Sequence, residues 1–424
     1  MDVYRVAPLA APLDAVVHVP GSKSVANRVL VCTALAEGRS TVHDVPAGDD
    51  TEAMLDCLRV LGIEADRDVD TGTVVVDGGR SHLRKGPLTL PTRIAGTTSR
   101  FLTALSALGP GPYTIDGLAP LRRRPMAELH DALSAMGARV TPLGEPGHLP
   151  VTVEGPVGGD ADGVSLRGDV SSQYLTALML IAPYLPSGLR LELTTPLVSR
   201  PYVRITAAVM AEFGIDGIEL GDRIITVPPG QYVARDVTVE PDASSAGYPL
   251  SAAAICGGTV LVPGLTDRSM QGDAAFCHVL ARMGCEVEQG PSGTRVTRRG
   301  PLRGIDIDMV DMSDLVPTLA AVAAFADSTT TVRGVGFIRG KESDRIGDLC
   351  SELRRAGVDA VELDDGLEIR PSEPHTATLA THHDHRLAMA FALVGLGASG
   401  IVVEDPDVVG KSWPDFWSMI EGLR

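Results

Sequence analysis

The sequence predicts an α/β protein in which six related units form two lobes, with the helices buried and the sheets outside them. A segment with a small, polar start and an apolar run recurs six times, at intervals of 69 to 74 residues. Helices that are apolar on every side have to be buried. Short β-like pieces such as GTVVVDG and RIITVPPG flank these helices. The sheets they form would lie outside, with one face toward water.

The first copy of the repeated segment is PGSKSVANRVLVCTALA, residues 20–36. A Gly-Ser turn opens onto Lys23, Ser24 and Arg28 before the apolar run begins. Free N–H groups and the dipole at a helix start favour a bound anion. Taken by itself, the stretch is equally typical of a capped core helix. The other five copies are AGTTSRFLTALSALGPG, DVSSQYLTALMLIAPYLPSG, DASSAGYPLSAAAICGG, DMSDLVPTLAAVAAFAD and HDHRLAMAFALVGLGASG.

Each unit contains a second predicted helix, with apolar residues at i, i+3 and i+4 spacing. Five of the six end in Gly, which is typical of the position after a helix C-terminus. The six segments are TEAMLDCLRVLG, MAELHDALSAMG, YVRITAAVMAEFG, DAAFCHVLARMG, ESDRIGDLCSELRRAG and PDFWSMIEGLR.

The sixth unit lacks closing strands, whereas the strand-like N-terminal segment belongs to no full unit. We therefore expect the N-terminal segment, about residues 1–20, to complete the sixth unit. The predicted lobes are residues 22–239, and residues 1–21 together with 240–424. Two chain crossings between lobes, near Pro20 and near Glu240, predict a hinge that opens and closes around a ligand.

Composition limits the kind of ligand. The 424 residues are 44% hydrophobic and carry a net charge of −17, which is typical of a globular protein that binds neither nucleic acid nor anionic membrane through its overall field. The six cysteines show no CxxC spacing and predict reduced core residues of a cytoplasmic protein. The N-terminus lacks the pattern of a signal peptide, and the apolar runs are too short to span a membrane.

Charged and small polar residues cluster at predicted helix starts. If the units are related by symmetry, two facing lobes gather these residues around one cleft. Such a cleft suits a ligand with more than one anionic group, with phosphate and carboxylate as the expected groups. The residues are Lys23, Ser24, Arg28, Gly96, Ser171, Ser172, Gln173, Asp242, Ser244, Asp311, Asp314, Asp384, His385 and Arg386 at first helices, and Arg122, Arg123, Arg124, Ser199, Arg200, Tyr202, Lys341, Glu342, Asp344, Arg345 and Lys411 at second helices.

Nine strings across essentially the whole chain resemble those of the 5-enolpyruvylshikimate-3-phosphate synthase family, in that family's order and spacing. They are PGSKSVANR, AGTTSRF, RRRPM, DVSSQYLTALM, SRPY, DASSAGY, KESDR, DHRLAMAFALVGL and KSWPDF. The resemblance implies two similar lobes, each of three βαβαββ units with buried helices and outer sheets, an inside-out α/β barrel. This agrees with the fold class that the repeats predict.

The resemblance also implies a reaction. The family moves the enolpyruvyl group of phosphoenolpyruvate to the 5-hydroxyl of shikimate 3-phosphate and releases phosphate, by addition and elimination through a tetrahedral intermediate. Neither a metal ion nor an organic cofactor is implied. The implied partners are these two small anionic substrates, without nucleic acid or membrane, and the implied state is a cytoplasmic monomer.

Roles for single residues follow from the resemblance alone. Asp314 resembles the family's base, Glu342 an acid or proton shuttle, and Lys23 a third catalytic group, with His385 as a further site residue. The residues that resemble phosphoenolpyruvate ligands are Lys23, Gly96, Arg124, Gln173, Arg345, Arg386 and Lys411. Those that resemble shikimate 3-phosphate ligands are Lys23, Ser24, Arg28, Ser171, Ser172, Gln173, Ser199, Tyr202, Asp314 and Lys341.

Several alternatives stay open at the level of sequence. The run Arg122 to Arg124 is also typical of a solvated basic loop. KESDR is also typical of an exposed helical face, on which Lys341 and Arg345 would repel each other one turn apart. His385 could equally cap a core helix, and Asp311 is the runner-up to Asp314 as base.

The sequence departs from the family at several positions. Ile94 and Phe337 stand where many members have Asn, so two polar contacts to substrate are not expected here, and Pro241 replaces a common Gly.

Two other functions fit the sequence less well than enolpyruvyl transfer to shikimate 3-phosphate. A transferase acting on UDP-N-acetylglucosamine would carry a cysteine near Arg122 to Arg124, and none of the six lies there. A non-catalytic anion-binding protein on the same scaffold would not need Asp314 and Glu342 among its cations.

Overall fold

The computed structural model describes residues 2–158 and 163–424. Contacts between Cα atoms divide the chain into two compact units. Unit I is Gly21–Val239, and unit II is Met1–Pro20 together with Glu240–Arg424. Unit I is therefore one continuous stretch, whereas unit II is assembled from the two ends of the sequence.

The helices are numbered in chain order. They are α1 (Lys23–Leu35), α2 (Asp49–Leu61), α3 (Gly96–Ser106), α4 (Ala119–Arg122), α5 (Ala127–Ala135), α6 (Ser172–Ile181), α7 (Arg200–Glu212), α8 (Ala243–Cys256), α9 (Phe276–Arg282), α10 (Val316–Ala323), α11 (Gly347–Arg355), α12 (His385–Gly397) and α13 (Phe416–Gly422). Short 3₁₀ helices cover Arg80–His82, Ala182–Tyr184, Gly272–Ala275, Ser313–Leu315, Gly336–Gly340 and Pro406–Lys411.

The strands are numbered in the same way. They are β1 (Val3–Arg5), β2 (Leu13–Val16), β3 (Gly38–His43), β4 (Glu64–Asp68), β5 (Thr73–Gly78), β6 (Leu88–Pro91), β7 (Tyr113–Asp116), β8 (Arg139–Pro142), β9 (Val151–Glu154), β10 (Val164–Leu166), β11 (Leu189–Leu193), β12 (Glu219–Leu220), β13 (Ile224–Val227), β14 (Asp236–Thr238), β15 (Gly258–Pro263), β16 (Glu286–Gly290), β17 (Gly293–Arg298), β18 (Asp306–Asp308), β19 (Thr330–Arg333), β20 (Asp359–Leu363), β21 (Gly366–Arg370), β22 (Ala377–Leu379) and β23 (Ile401–Glu404).

The sheets repeat one topology. In unit I the strand orders are β14-β3-β5-β4, β6-β7-β9-β8 and β10-β11-β13-β12, and in each the first pair is parallel and the rest antiparallel. Unit II contains β16-β17-β15-β2, β18-β19-β21-β20 and β1-β23-β22. In the described chain, five of these six sheets share one plan, as the sequence repeats predict, and the sixth, β1-β23-β22, has three strands.

The first helix of each repeat is the core. Every residue of α1 from Val25 to Leu35 is buried, and α3, α6, α8, α10 and α12 are almost as fully enclosed. In unit I, α3 packs against α6 and α1, and in unit II, α10 packs against α12 and α8. Strand β11, LRLEL, alternates buried and exposed residues, so its sheet has one face toward the helices and one toward water.

Local sequence explains why the core helices begin where they do. Ser22, Ser171, Asp242 and Asp384 each accept a hydrogen bond from a backbone N–H of the first turn that follows. The predicted glycines after the second helices are confirmed by their positive φ angles. These residues are Gly62, Gly137, Gly214, Gly284 and Gly357, with φ of 100°, 97°, 92°, 109° and 81°.

In each unit, a strand from elsewhere in the chain completes the sheet of the first repeat. In unit I, β14 pairs in parallel with β3, with Val237 opposite Val42. In unit II, β1 pairs with β23, but β2 pairs in parallel with β15, with Ala15 opposite Val260. The expectation that the whole N-terminal segment completes the sixth repeat is therefore wrong for β2, because strand pairing over more than 200 residues of sequence leaves no local signal.

Across the residues that the structure describes, no helix combines the length and the apolar content needed to cross a membrane.

The contact between the N-terminal segment and α12 can be tested at Gly395. A Cβ atom there would lie 2.5 Å from Cβ and 2.7 Å from Cγ1 of Val6. We expect Gly395→Ala to lower the free energy of unfolding by about 1–2 kcal/mol, because overpacking outweighs the helix propensity of Ala. Gly422→Ala is the matched control, since nothing lies within 4 Å of its added Cβ. Urea unfolding would contradict this account if both variants were equally stable.

Candidate active site

The guanidinium of Arg345 lies at the centre of a charged cluster in unit II. The side chain is 1% exposed, and it follows the 3₁₀ helix Gly336–Gly340 in a segment without regular structure. Nε lies 2.7 Å from Asp384 Oδ2, Nη1 lies 2.9 Å from Asp314 Oδ1, and Nη2 lies 2.7 Å from Glu342 Oε2. One planar cation thus fixes three carboxylates that are distant in sequence.

Asp384 connects this cation to α12. Its carboxylate, which is fully buried, accepts hydrogen bonds from the Arg345 side chain, from the Ser343 hydroxyl at 3.1 Å and from the backbone N–H of Arg386 at 2.9 Å. Asp384 is also the residue that caps α12. Because Arg386 is the second residue of α12, one carboxylate sets the positions of both arginines.

Asp314 lies on the 3₁₀ helix Ser313–Leu315 and faces three cations. Arg386 Nη2 is 2.8 Å from Oδ2, and Arg345 Nη1 and Lys341 Nζ are 2.9 and 3.6 Å from Oδ1. Burial by itself would raise the pKa of Asp314, but the charges of Arg386, Lys341 and Arg345 outweigh it and hold the pKa well below its usual range. Asp314 is therefore ionised at neutral pH.

Lys411 completes the cluster from the end of the 3₁₀ helix Pro406–Lys411. Its side chain is 3% exposed, and its ammonium lies 3.9 Å from Glu342 Oε1. We call the following residues the unit II cluster: Asp314, Lys341, Glu342, Arg345, Asp384, Arg386 and Lys411. Four cations and three carboxylates leave one positive charge in a largely buried place, which favours an anionic ligand.

The structure excludes one alternative for this region and shows that the predicted second helix of the fifth unit begins later than expected. KESDR is not an exposed helical face, because α11 begins only at Gly347 and Arg345 is buried. The Asp344 carboxylate accepts the N–H groups of Ile346 and Gly347 and so keeps the preceding residues out of the helix. Lys341 and Arg345 are thus not a repelling pair one helical turn apart.

The other candidate positions in unit II differ in their exposure. Asp311 is exposed, whereas Asp314 lies among the cations. His385 is 1% exposed, with Nδ1 3.6 Å from Asp384 Oδ1. Phe337 places its ring beside Lys341, whose Nζ is 6.0 Å from the ring centroid. An aromatic face there can attract the ammonium where many family members have Asn.

In unit I, Lys23 is the first residue of α1. Its ammonium lies 2.9 Å from Oδ2 of Asp50, whose side chain is 4% exposed and which belongs to the first turn of α2. Thr98 donates a hydrogen bond to the backbone oxygen of Asp50, which ties α2 to the start of α3. The lysine is thus oriented by the start of a neighbouring helix.

Arg28 is buried one turn further along α1. Its Nε donates to Thr206 Oγ1 at 2.9 Å, and Nη2 donates to Thr176 Oγ1 at 3.3 Å and to the Tyr202 backbone oxygen at 3.1 Å. Nη1 donates to the backbone oxygen of Ser24. Within the described part of the chain, no carboxylate pairs with this guanidinium. Burial lowers the pKa of Arg28 to about 10, so it stays charged at neutral pH.

Two further arginines, Arg100 and Arg124, lie beside Gly96, the first residue of α3. A Cβ added to Gly96 would lie 2.5 Å from Arg124 Nη1 and 2.9 Å from Arg100 Nη1, so both guanidinium groups reach the glycine backbone. Arg122 and Arg123 are exposed, and Arg122 pairs with Asp116. Of the basic run, therefore, Arg124 alone lies against Gly96, whereas Arg122, the last residue of α4, and Arg123 are solvated.

The remaining predicted residues of unit I lie at other helix starts. Ser171 caps α6 by accepting the N–H of Gln173, and Ser172 is buried beside it. The Gln173 side-chain amide donates to Thr97 Oγ1 at 3.5 Å, next to Gly96. Ser199 precedes α7 with a φ of 54°, and Tyr202 lies in its first turn, half-buried.

Two residues that the sequence did not assign to the site contact residues that it did, and a third was placed at a helix start without a role. The first two are Asp50 beside Lys23 and Arg100 beside Gly96, and the third is Asp384 beside Arg345. Asp384 carried a signal, because an acidic residue before an apolar helix is a typical cap. Asp50 and Arg100 carried no such signal in the sequence, since their partners depend on how the helices pack.

Comparison with known proteins identifies the family. The sequence model of the EPSP synthase (3-phosphoshikimate 1-carboxyvinyltransferase) family matches residues 9–420. The chain belongs to this family. A 3-phosphoshikimate 1-carboxyvinyltransferase from Nostoc punctiforme is 42% identical over 421 residues, covering 99% of this chain and 98% of the relative. One from Shewanella loihica is 38% identical over 429 residues, covering all of both chains.

Solved structures agree with the family. An EPSP synthase from Acinetobacter baumannii has a TM-score of 0.83 and 25% identity, and the match covers 100% of this chain and 98% of that one. The enolpyruvyl transferase NikO from Streptomyces tendae has a TM-score of 0.78 at 19% identity over 99% of this chain and 97% of that one, a likeness that shows the fold alone. The predicted family and fold class are confirmed, and the EPSP synthase family makes this chain a transferase.

The anchoring role of Asp384 leads to a prediction about stability. We expect Asp384→Asn to lower the free energy of unfolding by about 3 kcal/mol, because a buried guanidinium loses a charged partner. The matched control is Asp306→Asn, which breaks an ion pair with Arg333 whose side chains are 64% and 58% exposed. That change should cost less than about 1 kcal/mol. Equal losses in urea unfolding would contradict the anchoring role.

Proposed function

We propose that the chain transfers the enolpyruvyl group of phosphoenolpyruvate to the 5-hydroxyl of shikimate 3-phosphate and releases phosphate. The observation that carries this proposal is the unit II cluster, in which buried cations surround Asp314 and Glu342. Binding of anions explains the cations, but it does not explain carboxylates among them. Proton transfer within an anion site explains both.

The proposed ligands of phosphoenolpyruvate in unit II are Arg345, Arg386 and Lys411. Arginine donates in parallel to two oxygens of a carboxylate or phosphate, and Arg345 already binds Asp384 in this way. In unit I the proposed ligands are Lys23, Gly96, Arg124 and Gln173. The close approach of Arg124 to Gly96 supports their acting on one ligand group, because a side chain at residue 96 would occupy the space of the guanidinium.

The proposed ligands of shikimate 3-phosphate include Arg28, whose partners in the described chain are neutral oxygens. Its positive charge is therefore not offset by a carboxylate, which favours an anion nearby. Lys341, 3.6 Å from Asp314, is a second cation proposed for this substrate. The full proposed set is Lys23, Ser24, Arg28, Ser171, Ser172, Gln173, Ser199, Tyr202, Asp314 and Lys341.

In the proposed addition step, Asp314 removes the proton of the 5-hydroxyl while Glu342 protonates the methylene carbon of phosphoenolpyruvate. The 5-oxygen then bonds to the central carbon. In the elimination step a proton leaves the new methyl group, the carbon–oxygen bond to phosphate breaks, and the double bond re-forms. The Glu342 carboxylate accepts the proton from the methyl group, and the proton held by Asp314 passes to the released phosphate, so both residues regain their starting forms. These two residues carry every proton of the proposed reaction, and the resemblance implies neither a metal ion nor an organic cofactor. Lys23 supplies positive charge to the departing phosphate, and His385 supports Asp384.

Ligand binding can prepare Asp314 for this role. Without ligand its pKa is depressed by Arg386, Lys341 and Arg345. When substrate anions share these cations, their attraction for the Asp314 carboxylate weakens and its pKa rises. The residue thus becomes a better proton acceptor once the substrates are bound.

We also propose that the chain acts as a cytoplasmic monomer without nucleic-acid or membrane partners. The net charge of −17 supports the part of this proposal that concerns partners, because an acidic chain repels nucleic acid and anionic lipid surfaces.

The function itself can be tested by measuring phosphate release. We expect release from the purified chain only when phosphoenolpyruvate and shikimate 3-phosphate are both present, since addition precedes loss of phosphate. Omitting either substrate is the control. Turnover with UDP-N-acetylglucosamine in place of shikimate 3-phosphate would contradict the proposal, and so would binding of both anions without any turnover.

The role of Asp314 can be tested against Asp311. We expect Asp314→Asn to lower kcat by about 100-fold or more, as for the loss of a general base. Asp311→Asn is the control, because that residue is exposed and only three positions away, and its kcat should stay near that of the wild type. Steady-state phosphate release checks both variants. A near-normal kcat for Asp314→Asn would exclude it as the base.

A further inference from the structure

Asp273 is a buried carboxyl group that the proposed mechanism does not use. It lies on the 3₁₀ helix Gly272–Ala275, immediately before α9, and is 6% exposed. The hydroxyl of Ser244, in the first turn of α8 and 7% exposed, donates a hydrogen bond to Oδ2 of Asp273. Among the described residues, no cation lies within ion-pair distance of Asp273. A buried carboxylate without a cation is costly, which favours the protonated form.

The chain around Asp273 is held firmly against α8. Gln271 accepts the backbone N–H of Ala243 at 2.9 Å and donates to the backbone oxygen of Pro241 at 2.7 Å. Asp242 accepts the N–H of Ser245 at 2.7 Å. The segment that carries Asp273 therefore has a fixed position relative to the start of this core helix.

The segment that carries Asp314 reaches the same part of α8. A Cβ added to Gly247 would lie 2.5 Å from Leu315 Cδ2 and 3.7 Å from Phe276 Cδ1. Leu315 directly follows Asp314, and Phe276 comes three residues after Asp273. Both acidic residues thus flank the first two turns of α8, close enough for their charges to interact.

Several groups act on Asp273. Burial raises its pKa to about 7, and the negative charge of Asp314 acts in the same direction. The Ser244 hydrogen bond and the Arg386 charge oppose this rise, whereas Asp242 adds to it. Asp314 and Arg386 are the groups proposed as base and as phosphoenolpyruvate ligand.

We propose that Asp273 is a positioning residue whose protonation sets the charge beside Asp314 and Arg386, and thereby the affinity for phosphoenolpyruvate. This inference rests on the proposed function. While Asp273 is protonated, the unit II cluster keeps its excess positive charge. When it ionises, a fourth carboxylate acts on Arg386 and opposes the incoming anion.

The first experiment measures protonation without using activity. The pKa of Asp273 in the folded state, about 7, exceeds the unfolded value of roughly 3.9. The folded chain therefore holds more protons between these values, and the stability that this proton contributes is lost as pH rises through about 7. Urea midpoints from pH 5 to 8 should fall for the wild type relative to Asp273→Asn, which cannot titrate. Parallel midpoints for the two proteins would overturn the inference.

The second experiment measures KM for phosphoenolpyruvate from pH 6 to 8.5. The ratio of wild-type KM to that of Asp273→Asn should rise severalfold above about pH 7, with little change in the ratio of kcat values. Substrate ionisation is common to both proteins and cancels in the ratio. A merely structural role would change KM by the same factor at every pH.

Ser244→Ala supplies an independent variant. The Ser244 hydrogen bond lowers the pKa of Asp273, so its removal should move the rise in KM to higher pH. A shift to lower pH, or a KM ratio that does not depend on pH, would overturn the inference and leave the proposed function intact. A chain that neither binds nor turns over phosphoenolpyruvate would refute the proposed function and this inference together, whereas the urea midpoints would still report the protonation of Asp273.

Discussion

The buried guanidinium of Arg345 is the interaction on which the charged part of unit II depends. It brings Asp314, Glu342 and Asp384 to one place, each within 2.9 Å of one of its nitrogens. Removing three carboxylates and a cation from water is costly, and the arrangement persists because the guanidinium donates four hydrogen bonds to these carboxylates. The low pKa of Asp314 and the placement of Arg386 both follow from this network, so the proposed ligand binding and the proposed proton transfer depend on the same contacts.

The repeat provides the means by which such a network can be assembled. In the described part of the chain, four of the six core helices, α1, α6, α8 and α12, begin with a capping side chain, and five of the six sheets share one strand order. Helix starts therefore recur at equivalent places within a unit. Residues far apart in sequence, such as Asp314 and Arg386, then meet because their helices, α10 and α12, pack together. The functional groups differ between repeats while the supporting backbone does not.

Much of the fold was predictable because its signals are local. Caps such as Ser22 and Asp384, fully apolar helices, and glycines such as Gly62 mark element ends in the sequence itself. The site was predictable chiefly through resemblance. Its geometry was not, since Asp344 delays the start of α11 until Gly347, which leaves Arg345 outside the helix, and since the partners Asp50 and Asp273 depend on packing. The pairing of β2 with β15 likewise has no local cause that a sequence could reveal.

The two closing strands imply an order of events during synthesis on the ribosome. Strand β1, Val3–Arg5, pairs with β23, Ile401–Glu404, so β1 is synthesised long before its partner strand exists. Gly21–Val239 has all of its own strands much sooner, with β14 completing the sheet of β3. Unit I can therefore fold while unit II is still being translated. Strand β2 stays without its partner until β15 has been made, and β1 until β23 has been made. Chaperone protection during translation would matter most for those first twenty residues.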